Sequence, residues 1–216
     1  MLFDALVRLD DPEPHPAALN MAIDEVLLRT AAEPHLRCYR WARPAVSFGY
    51  FGKYAEVARA WPEREAVRRW TGGGIVLHGE DFTYSLLVPR ACAFFHLAAA
   101  ESYRAIHECL AGLLGSSTLA ESAAPKISAA CFENAARHDL VSGATKIAGA
   151  AQRRTRFGLL HQGSIQHTLL PPDFPARLAA ALAPQIEPRI LSHKLLAEAA
   201  ALAAAKYASA AWLRRA

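Results

Sequence analysis

The stretch HDLVSGATKIAGAAQRRTRFGLLHQGSIQH, residues 138–167, decides the fold class. Within it HDLVSG, TKIAGAAQRR and GLLHQGSIQH read as successive antiparallel strands punctuated by glycine. Helices are expected beyond them, near 173–183 and 193–214, which makes the plan a mixed α+β one. Upstream, residues 2–9 alternate as a strand would, and the Asp/Pro cluster at 10–16 leads into a helix over about 17–31. On that helix Leu19, Ala22, Ile23, Val26 and Leu27 share one face, while Asn20 and Asp24 lie one turn apart on another. HLRCYRWA and AVSFGY are strand-like on either side of Pro44, YAEVARAW is a short helix ending at Pro62, and AVRRW returns to strand. IVLH and FTYSLLVPR are further strands, a helix covers 97–114, and Gly115 to Pro125 is a surface connection. No repeat of 20–50 residues recurs along the chain.

A length of 216 residues fits one domain, 1–216, and an apolar fraction of 53% with 20% charged residues is a globular composition. The net charge of +4 favours acidic partners but lacks the dense basic stripe of a nucleic-acid binder. The amino-terminal MLFDALVRLDDPEP reads as mature protein, because acidic residues and prolines arrive before a signal-peptide core can develop. No window approaches the roughly 20 apolar residues of a membrane span. A soluble cytoplasmic protein without a membrane partner is the expectation. Cys38, Cys92, Cys109 and Cys131 form no CxxC pair and have no histidine at zinc-ligand spacing, so no metal site is expected.

Three segments could carry chemistry. RRWTGGGIVLH, Arg68 to His78, places a glycine triplet after a strand. Its backbone N–H groups could hold a carbonyl, phosphate or carboxylate, or the triplet could be a tight hairpin turn. It matches neither GxGxxG nor GxxxxGK[ST]. TKIAGAAQRR carries Lys146 among small residues, either reaching into a cleft to stabilise an oxyanion or standing as a solvated edge charge. In SAACFENAARHDL, Cys131 is either a nucleophile or a small buried hydrophobe, while the other three cysteines sit in apolar stretches that favour the core. His78, His138 and His161 each adjoin one of these motifs, and no GxSxG is present.

In this order, NMAIDEVLL at 20–28, SFGYFGKY at 47–54, RRWTGGGIVLH at 68–78, KIAGAAQRR at 146–154 and LLHQGSI at 159–165 resemble the signature blocks of the lipoate-protein ligase and octanoyltransferase family, which shares its fold with biotin protein ligases. The cysteine followed by phenylalanine, then a D/E-L pair, then KIAGAAQ, is most similar to the cysteine-dependent octanoyltransferases. The resemblance implies a central mixed β-sheet flanked by helices, with a second small sheet or hairpin near the cleft. It implies an acyltransferase that moves an octanoyl group from acyl carrier protein, through a thioester on Cys131, to a lysine of a 2-oxoacid dehydrogenase lipoyl domain or of the glycine cleavage H protein. Lys146 would be catalytic with Cys131. Arg69, Gly72, Gly73, Gly74, His78, Ala148, Gly149 and His161 would line the substrate pocket. No cofactor would be required.

The alternative within the superfamily is a lipoate-protein ligase that uses ATP and Mg to make lipoyl-AMP. In ligases of that kind the glycine triplet typically continues as a histidine, an aspartate and then an asparagine, whereas here His78 is followed by Gly79, Glu80 and Asp81. From a different class, a non-catalytic acyl- or lipoyl-binding protein would keep the pocket and lack turnover.

Overall fold

The computed structural model describes residues 1–123 and 135–215, so Cys131 lies outside the described residues. A large sheet is built from β1 (Ala5–Asp10), β2 (His35–Tyr39), β6 (Phe82–Pro89), β7 (Thr118–Leu119), β8 (Leu140–Ser142), β9 (Thr145–Arg154), β10 (Gly158–Ile165) and β11 (Gln185–Ile190). Their order is β11-β1-β2-β6-β10-β9-β8-β7. β11, β1 and β2 run parallel, and every pairing from β2 through β7 is antiparallel. The sheet is therefore mixed, as the sequence implied. A second sheet holds β3 (Ala45–Phe48) between β4 (Glu65–Arg68) and β5 (Ile75–His78), with α2 (Tyr54–Ala60) packed on it through Val57.

Each face of the large sheet buries its own core. Along β6, Tyr84, Leu86 and Val88 join one cluster with Ile106 and Leu110 of α3 (Ala99–Leu113) and Phe174 and Leu178 of α4 (Phe174–Leu182). Leu87 of β6 and Leu160 of β10 point the other way, into a cluster with Met21, Ile23 and Leu27 of α1 (Ala17–Thr30). α1 is covered in turn by α5 (His193–Leu202) and the segment after it, which contributes Tyr207. A helix enclosed on two sides must bury polar residues, and Asn20, Asp24 and Glu25 of α1 are all buried. Arg37 on β2 answers Asp24 and Asp11 at 2.8 and 2.7 Å and takes the Asn20 Oδ1 at 2.6 Å. Glu25 instead accepts from Lys206 and Tyr207, both at 2.5 Å, which fastens the carboxyl-terminal segment to α1.

Three expectations need correction, and one of two open alternatives drops out. β11 lies in a stretch expected to hold no strand: it is a largely exposed edge strand, where Pro188 is tolerated and no apolar alternation develops. β7 forms within the segment expected to be only a surface connection. The helix expected over 193–214 is interrupted: a π-helical turn at Ala203–Tyr207 ends it, and Ser209 then caps a separate α6 (Ala210–Leu213) by accepting from Trp212 N–H at 3.2 Å. The glycine triplet is not a hairpin turn, because β4 and β5 do not pair with each other but flank β3, and the loop crosses over the end of β3. Among the described residues, no helix is long and apolar enough to cross a membrane.

Candidate functional site

Where the small sheet meets the cavity face of the large one, a narrow cavity opens. Arg69, Gly73, His78, Lys146 and Gly149 line it. The crossing loop is pinned from inside. The Arg69 guanidinium donates through Nη2 to the carbonyls of Gly72 at 3.0 Å and Gly74 at 2.8 Å, leaving Gly73, at φ 84°, on the cavity wall. Close approach explains the small residues here. A Cβ on Gly49 would stand 2.0 Å from the Gly73 carbonyl oxygen, so the loop can lie on the end of β3 only because that residue has no side chain.

Lys146 is the second residue of β9 and is buried, with its ammonium 2.7 Å from Asp139 Oδ2. It lies across Gly149, where a Cβ would come within 2.6 Å of Nζ. Asp139 is held by the Ala136 N–H at 2.6 Å and by a short hydrogen bond from Tyr103 of α3. Tyr103 Oη also accepts from the Ala150 N–H at 2.8 Å, closing a stretch of β9 beyond its pairing with β8. Burial and the neighbouring Asp139 charge push the Tyr103 phenol well above its ordinary range, so it stays a donor. The cation at the cavity wall thus stands on a fixed carboxylate. It is not a solvated edge charge.

On the small-sheet side of the cavity, Ser47 Oγ lies 2.7 Å from His78 Nε2, and His78 Nδ1 lies 2.8 Å from Asp81 Oδ2. Arg69 Nη1 donates to Ser47 Oγ at 2.7 Å. Trp41 stacks on the His78 ring with centroids 4.0 Å apart. Burial alone would raise the Asp81 carboxyl, but its interactions with His78, Ser164 and the Gly79 N–H outweigh it and hold the group below its usual range.

Several expected pocket positions lie elsewhere. Ala148 and His161 face the α3 side of the sheet. Ala148 is buried in the core there, and His161 hydrogen-bonds Tyr84 Oη and Gln152, both at 3.1 Å. Burial pushes the His161 imidazole well down, so it stays neutral inside the core. The cause of the misplacement is strand alternation: Gln162 and Ser164, one and three residues beyond His161 and so on the opposite face, line the cavity instead. Gly72 and Gly74 serve the loop through their carbonyls and do not line the cavity. Gln162 joins three elements, accepting from Thr71 Oγ1 at 2.8 Å and donating to Asp24 at 2.8 Å. Ser47, Trp41 and Gln162 sit inside or beside the motif blocks, yet only the register of the two sheets reveals that they share a cavity. Cys38, Cys92 and Cys109 are half-buried and none lines this cavity; burial pushes the Cys38 thiol up to about 12.

Comparison with known proteins matches residues 16–181 to the lipoyl protein ligase A/B catalytic domain. The chain is 37% identical to octanoyltransferase LipM of Oceanobacillus iheyensis over 169 residues, which cover 70% of this chain and 60% of that protein. It is 39% identical to octanoyltransferase LipM of Carboxydothermus hydrogenoformans over 161 residues, 68% of this chain and 60% of that protein. The chain thus spans about 60% of the length of these curated relatives. Among solved structures, protein Ta0514 of T. acidophilum with bound lipoic acid superposes with a TM-score of 0.76 at 19% identity, covering 98% of this chain and 99% of that one. A lipoate-protein ligase A bound with ATP gives 0.72 at 19% identity over 98% and 99% of the two chains. The match over residues 16–181 runs from the start of α1 to the last turn of α4 and takes in the cavity, so this chain belongs to the lipoyl protein ligase A/B catalytic domain family.

Proposed function

We propose that residues 1–216 act as one catalytic domain that transfers an octanoyl group from acyl carrier protein, through a thioester on Cys131, to a lysine amine of a lipoyl domain or of the glycine cleavage H protein. The observation that carries this reading is Lys146. Its ammonium, held by buried Asp139, lies over Gly149 on the wall of a cavity whose apolar lining includes Met21, Val76 and Ala151. A thioester is already activated, so the reaction needs no nucleotide and runs in the cytoplasm with no cofactor. The Cys131 thiolate attacks the thioester carbonyl, acyl carrier protein leaves as its thiol, and the acceptor amine then opens the acyl-enzyme to an amide. Lys146 places positive charge beside the carbonyl oxygen as it becomes an oxyanion. Burial of the acyl chain contributes about 0.8 kcal/mol per CH₂ and positions the carbonyl.

Two further observations support transfer over adenylation. The curated relatives carry the name octanoyltransferase. In the segment after the glycine loop, the Asp81 carboxylate is engaged by His78, Thr83, Ser164 and the Gly79 N–H rather than left open to a ligand. The acceptor domains are acidic in such systems, which suits the net charge of +4.

Intact-mass spectrometry tests the reading. Mixed with octanoyl-acyl carrier protein and no ATP, the wild type is expected to gain one octanoyl group, and Cys131→Ala none. Modification of the acceptor that requires ATP and persists in Cys131→Ala would overturn the reading in favour of a ligase.

A further inference from the structure

The transfer just described leaves one proton without a destination. As the amine nitrogen bonds to the carbonyl carbon it must shed a proton, and a positioned base speeds that step. Lys146 is ion-paired with Asp139, and Arg69 is a guanidinium that does not deprotonate. Of the described residues lining the cavity, none carries a carboxylate and His78 alone carries an imidazole, the ordinary base near neutrality.

The hydrogen bonds around His78 admit one consistent arrangement of protons. Asp81 Oδ2, which accepts from Thr83 Oγ1 at 2.9 Å and Ser164 Oγ at 2.6 Å, also accepts from His78 Nδ1–H at 2.8 Å. That fixes the tautomer with the lone pair on Nε2, which faces Ser47 Oγ at 2.7 Å. Arg69 Nη1 donates to the same oxygen at 2.7 Å, so the hydroxyl hydrogen of Ser47 is turned toward His78. Trp41 covers one face of the imidazole and donates through Nε1 to Thr83 Oγ1 at 2.8 Å, which holds the ring in place. Ser47 Oγ keeps a second lone pair, and Ser47 lines the cavity.

We infer that Ser47, His78 and Asp81 form a proton relay for the aminolysis half of the reaction, with Ser47 Oγ as the atom that meets the acceptor amine. This inference rests on the acyl-transfer reading above. The amine enters uncharged and donates a hydrogen bond to Ser47 Oγ. As the C–N bond forms and the C–S bond to Cys131 breaks, the amine proton passes to Ser47 and the Ser47 proton passes to His78 Nε2. The electron pair of the C–S bond leaves on sulfur as thiolate, and the imidazolium, neutralised by Asp81, returns its proton to that thiolate or to water. Arg69 steadies the serine oxygen while it exchanges protons. Ser47 is a catalytic residue in this scheme, and Asp81 is a positioning residue that sets the tautomer.

The test separates the two half-reactions. Acylation is timed by mass spectrometry with octanoyl-acyl carrier protein, and transfer is timed by mixing the isolated acyl-enzyme with H protein. In Ser47→Ala and in the isosteric Asp81→Asn, the ratio of transfer rate to acylation rate is expected to fall about 100-fold or more. In His78→Ala, added imidazole is expected to restore transfer in a dose-dependent way, which a purely structural role for the ring does not produce. An unchanged ratio in Ser47→Ala and Asp81→Asn, including a proportional loss of both steps, would overturn the relay. A wild type that takes up no acyl group overturns the parent reading and the relay with it, whereas a wild type that acylates beside variants with an unchanged ratio overturns the relay alone.

Discussion

The two faces of the large sheet bury comparable amounts of polar chemistry in opposite ways. On the α1 face the buried groups are ions held in pairs: Arg37 is fully buried against Asp24 and Asp11, and Asp24 also takes Ser85 Oγ at 2.5 Å and Gln162 at 2.8 Å. On the α3 face the interior groups are neutral apart from buried Asp139, which is paired with Lys146: His107 and His161 lie beside Tyr84, Tyr103 and Gln152, with further charge from Arg154 at the rim. Burying an ion without a partner costs several kcal/mol, so a face that uses ions must fix them geometrically, and a face without that framework must hold its titratable groups uncharged. The cavity opens on the ionic face, where fixed charges can act on a substrate. The neutral face is a scaffold.

The largest effect expected from this contrast is on stability, through Arg37→Leu. Removing the guanidinium leaves Asp24 buried with no cation and Asp11 with His15 as its remaining partner, and breaking a buried pair in this way costs about 3–5 kcal/mol. Urea unfolding should show a loss of that size. A loss below about 1 kcal/mol would mean that solvent or neighbouring groups satisfy these carboxylates, and the distinction between the two faces would fail.

A pair of substitutions in one strand sharpens the comparison. Ala148 and Ala151 lie on the same strand, β9, with Ala148 in the α3-side core and Ala151 on the cavity wall. Ala148→Leu overpacks a filled core and should cost about 1–3 kcal/mol in urea unfolding, with octanoyl transfer by the folded fraction unchanged. Ala151→Leu should instead leave the unfolding midpoint nearly unchanged and shift acyl-chain preference toward shorter donors, measured with acyl carrier protein loaded with chains of graded length. Exchanged outcomes would reverse the face assignment of β9.

That same pair shows how much of the molecule was legible in its sequence. The strands other than β7 and β11, α1, the glycine loop and the lysine strand follow from alternation, helical spacing and glycine placement, and the ordered blocks point to the family. Which side of β9 and β10 faces the cavity does not follow, because alternation assigns Ala148 and Ala151, or His161 and Gln162, to opposite faces without saying which face is which. The phase is set by α1 docking on one side and α3 on the other, through contacts distant in sequence such as Gln162 to Asp24. The Ser47–His78–Asp81 chain was illegible for the same reason. Ser47 and His78 belong to separate strands that only the antiparallel pairing of β3 with β5 brings together. In the carboxyl-terminal helix, alanine favours continued helix throughout, so its interruption before Ser209 comes from packing on α1 and leaves no trace in composition.

The smallest effect concerns the neutral face and appears only on acidification. Burial pushes His107 down to about 4, and burial together with His107 pushes His161 well below the ordinary imidazole value. Among the described residues His107 Nε2 has no hydrogen-bond partner, as befits a ring enclosed in its neutral form. Because these folded-state values lie below that of the unfolded chain, near 6.5, the unfolded chain binds protons first as pH falls. Stability from this source is complete above about pH 6.5 and declines below it by about 1.4 kcal/mol per pH unit for each histidine, levelling off for His107 near pH 4 where the folded protein also takes up its proton. His107→Leu removes one such group. The slope of unfolding free energy against pH between 6 and 5 should then fall by up to about 1.4 kcal/mol per unit relative to wild type. An unchanged slope would mean that His107 is already protonated in the folded protein, which would place an unpaired charge inside this face.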